Sequence, residues 1–447
     1  MRKYPEIHTV KKEVYKKIVN AFVPPKVYVS LEQNNGEEAE CIVEKGASVK
    51  EGEKLADGVF SPIPGTVEDF ELKVMPNGNV NKTVRIALKG QFSYLGKKIN
   101  EVDYTAFSSD SLIRHIEEYG VLNTFVTDRP VLLAPQLKEV LSHKKRLLVV
   151  RLVDDDPSRL LDAVLFSVYR KEIIRGINIA VRAIDAEGVI LVCDEKFERT
   201  EDFNEIKVPV FEVKLQPKDF PAALAELVCQ NVRKNAKDSL FKKVSKYDLF
   251  MDSSSVLELY RSVSFDMPVI DRYVLVDGDC IPSTGVLKFA IGTPFETIAE
   301  HCGGFVKQPA SIIVNGMVTG FSAGSLNVPL TKYVKSIRFN SAVKTVSQTQ
   351  IQCIRCGNCR RVCPVSLSPD IIVHHLIGGA ACPADYIASS DFCVECGLCN
   401  SVCPSRIPLL QTIREYKSKF SAKNKAAGIK HFSSEKTLEE EGIDEKR

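Results

Sequence analysis

The chain has 447 residues, 44% of them apolar and 26% charged, with a formal net charge of +3. At roughly 150 residues per domain, this length suggests about three domains. The balance excludes a disordered or fibrous chain, and the lack of a basic excess argues against nucleic acid as a partner. The longest apolar runs, such as Leu147 to Val150 and Val189 to Val192, fall far short of the ~20 residues of a spanning helix. Met1 to Tyr15 is charged and has no signal-peptide core. The expectation is a chain in the cytoplasm, able to bind a membrane protein from that side.

In chain order, residues 1–104 read as β-rich. Val27 to Leu31 alternates like a strand, and Gly46 and Gly52 punctuate short strands. Val43, Gly46, Val49, Gly52 and Leu55, followed by Ser61-Pro62-Ile63-Pro64-Gly65-Thr66-Val67, resemble the barrel-sandwich hybrid of biotinyl and lipoyl carriers. Those carriers present a Lys within Met-Lys-Met or Asp-Lys-Ala. Neither tripeptide occurs here, so a structural or docking module is expected. Residues 105–250 read as α/β. Helical patterns at Ser111 to Tyr119, Arg159 to Ile173 and Pro221 to Val232 alternate with strands at Arg146 to Val153 and Gly188 to Val192. That alternation predicts a parallel sheet. Residues 251–340 read as strand-rich, with a strand over Arg272 to Asp279. A helix is predicted over Thr293 to His301, with Thr293 as N-cap and Pro294 in the first helical position. The unit looks like a ubiquitin-like β-grasp domain. Residues 417–447 form a charged tail, basic from Arg414 to Lys430 and acidic from Glu435, expected to fray.

The cysteines carry the chemistry. Of fourteen, eight lie in two runs, within residues 341–416. One is Cys353-Ile-Arg-Cys356-Gly-Asn-Cys359-Arg-Arg-Val-Cys363-Pro364, the other Cys393-Val-Glu-Cys396-Gly-Leu-Cys399-Asn-Ser-Val-Cys403-Pro404. In a long chain without an export signal, clustered cysteines read as metal ligands. Both runs are C-x₂-C-x₂-C-x₃-C-P, the two-cluster ferredoxin pattern, in which the fourth Cys reaches the other cluster. Zinc sites show paired C-x₂-C instead. The pattern therefore predicts an α-helical domain with two [4Fe–4S] clusters. Cys353, Cys356, Cys359 and Cys403 would hold cluster one, and Cys393, Cys396, Cys399 and Cys363 cluster two. Gly357 and Gly397 suit backbone amides packed against sulfides. The long spacer after Cys363 predicts an inserted helix near Pro369 to Leu376. Its His374 and His375 are not needed as ligands. The other six cysteines (Cys41, Cys193, Cys229, Cys280, Cys302, Cys382) read as small buried apolar residues.

This order of modules (lipoyl-like, α/β, β-grasp, two-cluster ferredoxin) resembles the C subunit of the Rnf electron-transport complex, from about residue 26 to 416. The likeness is strongest over Gln352 to Leu410. The resemblance implies a peripheral subunit on the cytoplasmic face of the inner (cell) membrane. Its partners would be integral membrane subunits and a soluble low-potential carrier such as ferredoxin or flavodoxin. The α/β and β-grasp parts are also similar to the NADH-oxidising flavoprotein of respiratory complex I.

The chain departs from that family at the nucleotide site. The Gly-rich phosphate loop is here Gly120-Val121-Leu122-Asn123-Thr124-Phe125-Val126-Thr127-Asp128-Arg129-Pro130, with Gly120 alone surviving. The acidic "E-x-E-P" is Asp154-Asp155-Asp156-Pro157. A Gly-containing turn is replaced by Gln216 to Pro221, and a Gly-Gly-Pro-Met-Met-Gly turn reads Asn315-Gly316-Met317-Val318-Thr319-Gly320. Phe125 and Val126 are expected to place apolar bulk where phosphate oxygens would lie, and Asp128 a like charge. FMN and NADH are expected to be absent, with no residues assigned to them and none to catalysis. The resemblance then implies an iron–sulfur electron-relay protein of a complex that couples electron transfer to ion translocation, with a donor other than NADH. One alternative is a conventional FMN/NADH-dependent dehydrogenase subunit, of the Rnf or microcompartment corrin-reductase type. A second is a non-enzymatic scaffold docking clusters to partners.

Overall fold

The computed structural model describes residues 18–34, 37–127, 129–341, 350–378 and 389–426, which form two compact units, one within residues 6–346 and one within residues 347–447. Asp128, Cys382 and the tail from residue 427 lie outside the described residues.

In the larger unit, strands Lys26–Ser30, Val80–Leu88, Gly65–Val74 and Ser48–Val49 form one sheet in that order. Val27 and Val29 face inward onto Val49, Leu55, Ile63, Val67, Val84 and Ile86. This is the barrel-sandwich module expected from the glycine and valine spacing.

The α/β region carries a parallel sheet of four strands: β1 (Leu147–Arg151), β2 (Gly188–Asp194), β3 (Val210–Leu215) and β4 (Leu249–Asp252). The order is β3-β2-β1-β4, all parallel. β1 is buried throughout because both faces are covered. Leu148 and Val150 meet Ile173, Ile177 and Ala180 on one side, and Leu147 and Val149 meet Val228 and Val232 on the other.

Three elements differ from the sequence reading. The pattern Arg159 to Ile173 is two helices, Leu161–Val168 and Arg170–Ile184, broken at Tyr169. The apolar spacing continues across the break, so periodicity did not reveal it; the Tyr169 ring packs against Tyr273 at 5.5 Å. Next, the stretch from 254 opens with a buried helix, Ser253–Phe265, capped by the Asp252 carboxylate, which accepts from the Ser255 N–H at 2.7 Å. Finally, Thr293 does not cap. Its hydroxyl turns back to the Ala290 carbonyl at 2.7 Å, Pro294 stays extended, and the helix is Phe295–His301.

The third sheet has six strands, in the order Ile18–Asn20, Gly285–Ala290, Asp271–Asp277, Ser336–Asn340, Ser311–Val314, Phe321–Ala323. Its first strand comes from the chain's N-terminal part and pairs in parallel with Gly285–Ala290. The three modules meet at Lys332, whose buried ammonium donates to the carbonyls of Gly58 (2.7 Å) and Gly120 (3.0 Å). Burial lowers its pKa to about 8.

Gly120 has a left-handed φ of 61°, and a Cβ added there would stand 2.6 Å from the Gly58 backbone. The missing Cβ thus lets the barrel backbone approach the helix end. Gly120→Ala should cost about 2–4 kcal/mol, from φ strain plus overpacking against backbone. A denaturant midpoint equal to wild type would refute this account.

Candidate functional site

The smaller unit repeats itself. Each cysteine of the first run has its counterpart forty residues on, and so do the secondary elements. Short helices α1 (Asn358–Val362) and α3 (Leu398–Ser401) follow the loops. Longer helices α2 (Pro369–Gly378) and α4 (Leu409–Ala426) follow the Cys-Pro turns. α2 is the expected inserted helix. α4 continues to Ala426, into residues read as tail.

The backbone repeats as closely as the sequence. Arg355 and Glu395 take φ values of 54° and 56°, Gly357 and Gly397 73° and 76°, and Ser366 and Arg406 57° and 53°. Positive φ in a non-glycine residue is uncommon and costs about 1 kcal/mol or more. Four such residues and two glycines around two loops indicate a conformation selected for what it presents. Alternation of right- and left-handed residues turns successive N–H groups inward, the concavity that receives anionic groups, including iron–sulfur centres. At Gly357 an added Cβ would meet no atom within 4 Å, so dihedral angle rather than crowding demands glycine there.

Cys353, Cys356, Cys359 and Cys403 line one cavity, together with Gly357, Asp370 and Ile407. Three of these thiols belong to the first run and the fourth to the second. Around the second loop, burial raises the thiol pKa of Cys393 and pushes that of Cys396 up to about 12, and Cys363 lies close enough to both to add a like-charge contribution. The Leu367 N–H donates to the Cys363 sulfur at 3.3 Å. Among the described residues, no three His, Cys, Asp or Glu side chains converge on a point that could hold one metal ion. The first four thiols surround a volume instead, which suits a polynuclear group. His374 is exposed on α2, and His375 packs beside it with rings 5.8 Å apart.

The second candidate region is the crevice of the parallel sheet. In such sheets ligands bind beyond the carboxyl ends of the strands, where strand order reverses, here between β1 and β4. Charged side chains fill that place. Lys335, itself fully buried, bridges Asp162 at 2.8 Å and Asp252 at 2.6 Å. Arg159 binds Asp154 at 2.9 Å, Asp155, and the Asn315 carbonyl at 3.0 Å. The Arg151 guanidinium lies 4.0 Å over the Phe125 ring and donates to the Phe125 carbonyl.

The donors that could hold a phosphate are already engaged. At the start of helix Ser253–Phe265, the N–H of Ser255 donates to Asp252 and that of Ser254 to Asp162 at 3.1 Å. The N–H groups of Val318 and Thr319 both donate to Asp156, at 2.9 and 2.8 Å. A Cβ at Gly316, φ 109°, would collide with that carboxylate at 2.3 Å. A cavity of about 70 Å³ remains at the ends of β1 to β3, with Asp154, Asp155, Arg159, Asp194, Asp219 and Phe220 in its wall. Phe125 is buried under the Arg151 guanidinium, and Val126 is 45% exposed.

Sequence reasoning passed over Asp162, Asp252 and Lys335. Their signal is a charge set inside an apolar run, as in Leu161-Asp162-Ala163-Val164 and Tyr333-Val334-Lys335-Ser336-Ile337.

The barrel module and the whole chain both have counterparts among known proteins. Residues 6–91 match the RnfC Barrel sandwich hybrid domain. The C subunit of the ion-translocating oxidoreductase complex of Actinobacillus succinogenes is 26% identical over 371 residues, covering 79% of this chain and 51% of that protein. Over most of its length the chain is similar to such C subunits. A second relative is the C subunit of the proton-translocating ferredoxin:NAD(+) oxidoreductase complex of Clostridium ljungdahlii, 22% identical, with 80% of each chain covered. The chain spans about half the length of the first curated relatives it matches. Among solved structures, an NAD+-reducing [NiFe]-hydrogenase in the air-oxidized state is similar over 71% of this chain and 55% of its own, with 14% identity and a TM-score of 0.45. The resemblance read from the cysteine runs and the module order agrees with the C-subunit matches. No helix among the described residues is long and apolar enough to cross a membrane.

The crevice charges have a pH signature. Burial, with Asp162 beside it, pushes Asp154 from its ordinary 3.8 up to about 6. Burial also works to raise Asp155, yet Arg151, Arg159 and Lys335 hold it down at about 2. A raised carboxyl pKa means that the folded state holds the proton more tightly. The stability this contributes is complete below about pH 4 and is lost as pH rises through about 6. Asp154→Asn fixes the neutral form, so its advantage over wild type should grow from pH 5 to pH 7.5, reaching about 1–3 kcal/mol. Urea unfolding at the two pH values measures this, and a difference that does not change with pH would refute it.

Proposed function

We propose that this chain is the iron–sulfur electron-relay subunit of an ion-translocating membrane redox complex. Cys353, Cys356, Cys359 and Cys403 hold one [4Fe–4S] cluster, and Cys393, Cys396, Cys399 and Cys363 hold the other. The observation that carries this reading is the cavity bounded by three thiols of the first run and the last thiol of the second. Bound there, such a group supplies one-electron transfer. The chain's own part is to fix four thiols at one cavity and turn backbone N–H groups toward it. The names of the relatives, as members of oxidoreductase complexes, support the assignment.

In this reading the α/β body binds neither FMN nor NADH. Support comes from the carboxylates that occupy the amides around the crevice and from the acidic wall of the remaining cavity. The division of labour follows the modules: a docking barrel at 1–104, the α/β body at 105–250, the β-grasp unit at 251–340, the cluster domain at 341–416, and a charged tail at 417–447. The chain sits as a peripheral subunit on the cytoplasmic face of the cell membrane, against integral subunits, and exchanges electrons with a soluble low-potential carrier such as ferredoxin or flavodoxin.

Anaerobically purified chain should contain about eight irons and eight acid-labile sulfides, the content of two such clusters, and no flavin. Cys403→Ser should damage the cluster of Cys353, Cys356 and Cys359 and spare that of its neighbours Cys393 to Cys399, as read by electron paramagnetic resonance. Loss of the neighbouring cluster instead would overturn the crossed assignment. Stoichiometric FMN, or bleaching by NADH alone, would favour a flavin-dependent dehydrogenase subunit.

A further inference from the structure

The two cysteine loops share a sequence pattern and a backbone but differ in their surroundings. In the first, Ile351 to Cys356 are all exposed, Ile351 by 53% and Ile354 by 61%. Arg355, Arg360 and Arg361 stand exposed on the same run. Arg406, also exposed, joins them from the second run. The adjoining Ser405 ties the two segments together: its carbonyl accepts the Ile351 N–H at 3.1 Å and its hydroxyl donates to the Gln352 carbonyl at 3.1 Å. The one carboxylate lining the first cavity is Asp370, which binds Arg360 through both oxygens. The first loop is thus a cationic face with an apolar centre, lying directly over the thiols.

The second loop is covered. Glu395, at the position of Arg355, is 8% exposed and binds Lys417 at 2.6 Å and Arg414 at 3.2 Å, both from α4. Lys417 also donates to the Cys393 carbonyl at 3.0 Å. Cys396 and Leu398 are buried, although Phe392, just before the loop, is exposed. Among the described residues, the first repeat has no such clasp. The positions matching Arg414 and Lys417 are His374 and Ile377, and Ile377 is 63% exposed. The same fold has been closed at one site and left open at the other.

We propose that the Cys353 to Cys356 loop is the face through which this chain exchanges electrons with an acidic carrier protein, while the second loop is sealed from such contact. This rests on the two-cluster reading above. One electron passes between the carrier and the group held by Cys353, Cys356, Cys359 and Cys403; one is oxidised as the other is reduced, and no bond or proton is exchanged. Carrier proteins with acidic rims are steered by a cationic face, and an apolar centre excludes water once they dock. Positive charge and solvent exposure also raise a cluster's potential, so the first site should be the more easily reduced.

The test uses the full chain with its clusters, a reduced acidic bacterial ferredoxin as probe, and the double variant Arg355→Glu with Arg361→Glu. Lys82→Glu with Lys89→Glu, exposed on the barrel module, matches the charge change. Arg355→Gln with Arg361→Gln guards against misfolding of the reversed form. Ferredoxin binding at low salt should weaken at least about tenfold in the Arg-to-Glu variant, with a flattened salt dependence, and less in the Gln variant. The Lys variant should bind as wild type does. In redox titration followed by paramagnetic resonance, the higher-potential cluster should shift downward in the Arg-to-Glu variant, and the other should stay in place. Unchanged binding with iron content retained would overturn the docking face while leaving the clusters standing. A wild-type iron content far below that of two clusters would overturn both.

Discussion

The ammonium of Lys335, without solvent, lies between the carboxylates of Asp162 and Asp252. An unpaired buried charge is intolerable, and removing one partner of such a pair costs about 3–5 kcal/mol. The three residues come from three places: the helix after β1, the end of β4, and the chain leading into strand Ser336–Asn340. Their mutual requirement therefore fixes the six-stranded sheet against the carboxyl end of the parallel sheet. The neighbouring charges extend the clamp. Although burial alone would raise it, Lys335 and Arg151 hold Asp252 well below the usual carboxylate range. Arg272 pairs with Glu258 and donates to Thr124, which in turn binds Asp252. Once this network forms, the positive end of helix Ser253–Phe265 has two carboxylate counter-charges.

The cluster unit rests on a different physics. Its apolar core is small, built on Ile372, Val373, Leu409 and Ile413 with Cys359. So small a core gives little stability, and two short helices add little more. On the proposed reading, metal loading supplies what packing does not, since metal affinity in such a unit is also folding energy. Burial pushes the Cys359 thiol up to about 11, so ligation must displace a proton that the apolar surroundings favour.

How much of this was legible in the sequence depends on the range of each interaction. The cysteine spacing is local and so was readable, as was the alternation of strand and helix that yields the parallel sheet. The break at Tyr169 was not, because the apolar stripe continues through it. The pairing of Ile18–Asn20 with Gly285–Ala290 spans most of the chain and leaves no local mark. The crevice was read from missing glycines, on the expectation that Phe125 and Val126 would obstruct it. Phe125 does lie there, under Arg151, but Val126 faces solvent. What fills the site is a set of buried charges whose partners are far apart in sequence. A single charge in an apolar run announces burial but not its counter-ion.

Those long-range partners also tie down the carboxyl end of the parallel sheet. The carboxyl ends of parallel strands gather backbone N–H donors and helix N-termini, which must be satisfied by something. A bound anion can do this, and so can carboxylates from the chain itself. Asp156 illustrates the second solution: it accepts from Val318, Thr319 and Ser158 and so fastens the Asn315 to Gly320 turn to the end of β1. Gly316 is retained because its Cβ would strike that carboxylate. One carboxylate thereby joins the Asn315 to Gly320 turn, on the six-stranded sheet's side, to the end of β1.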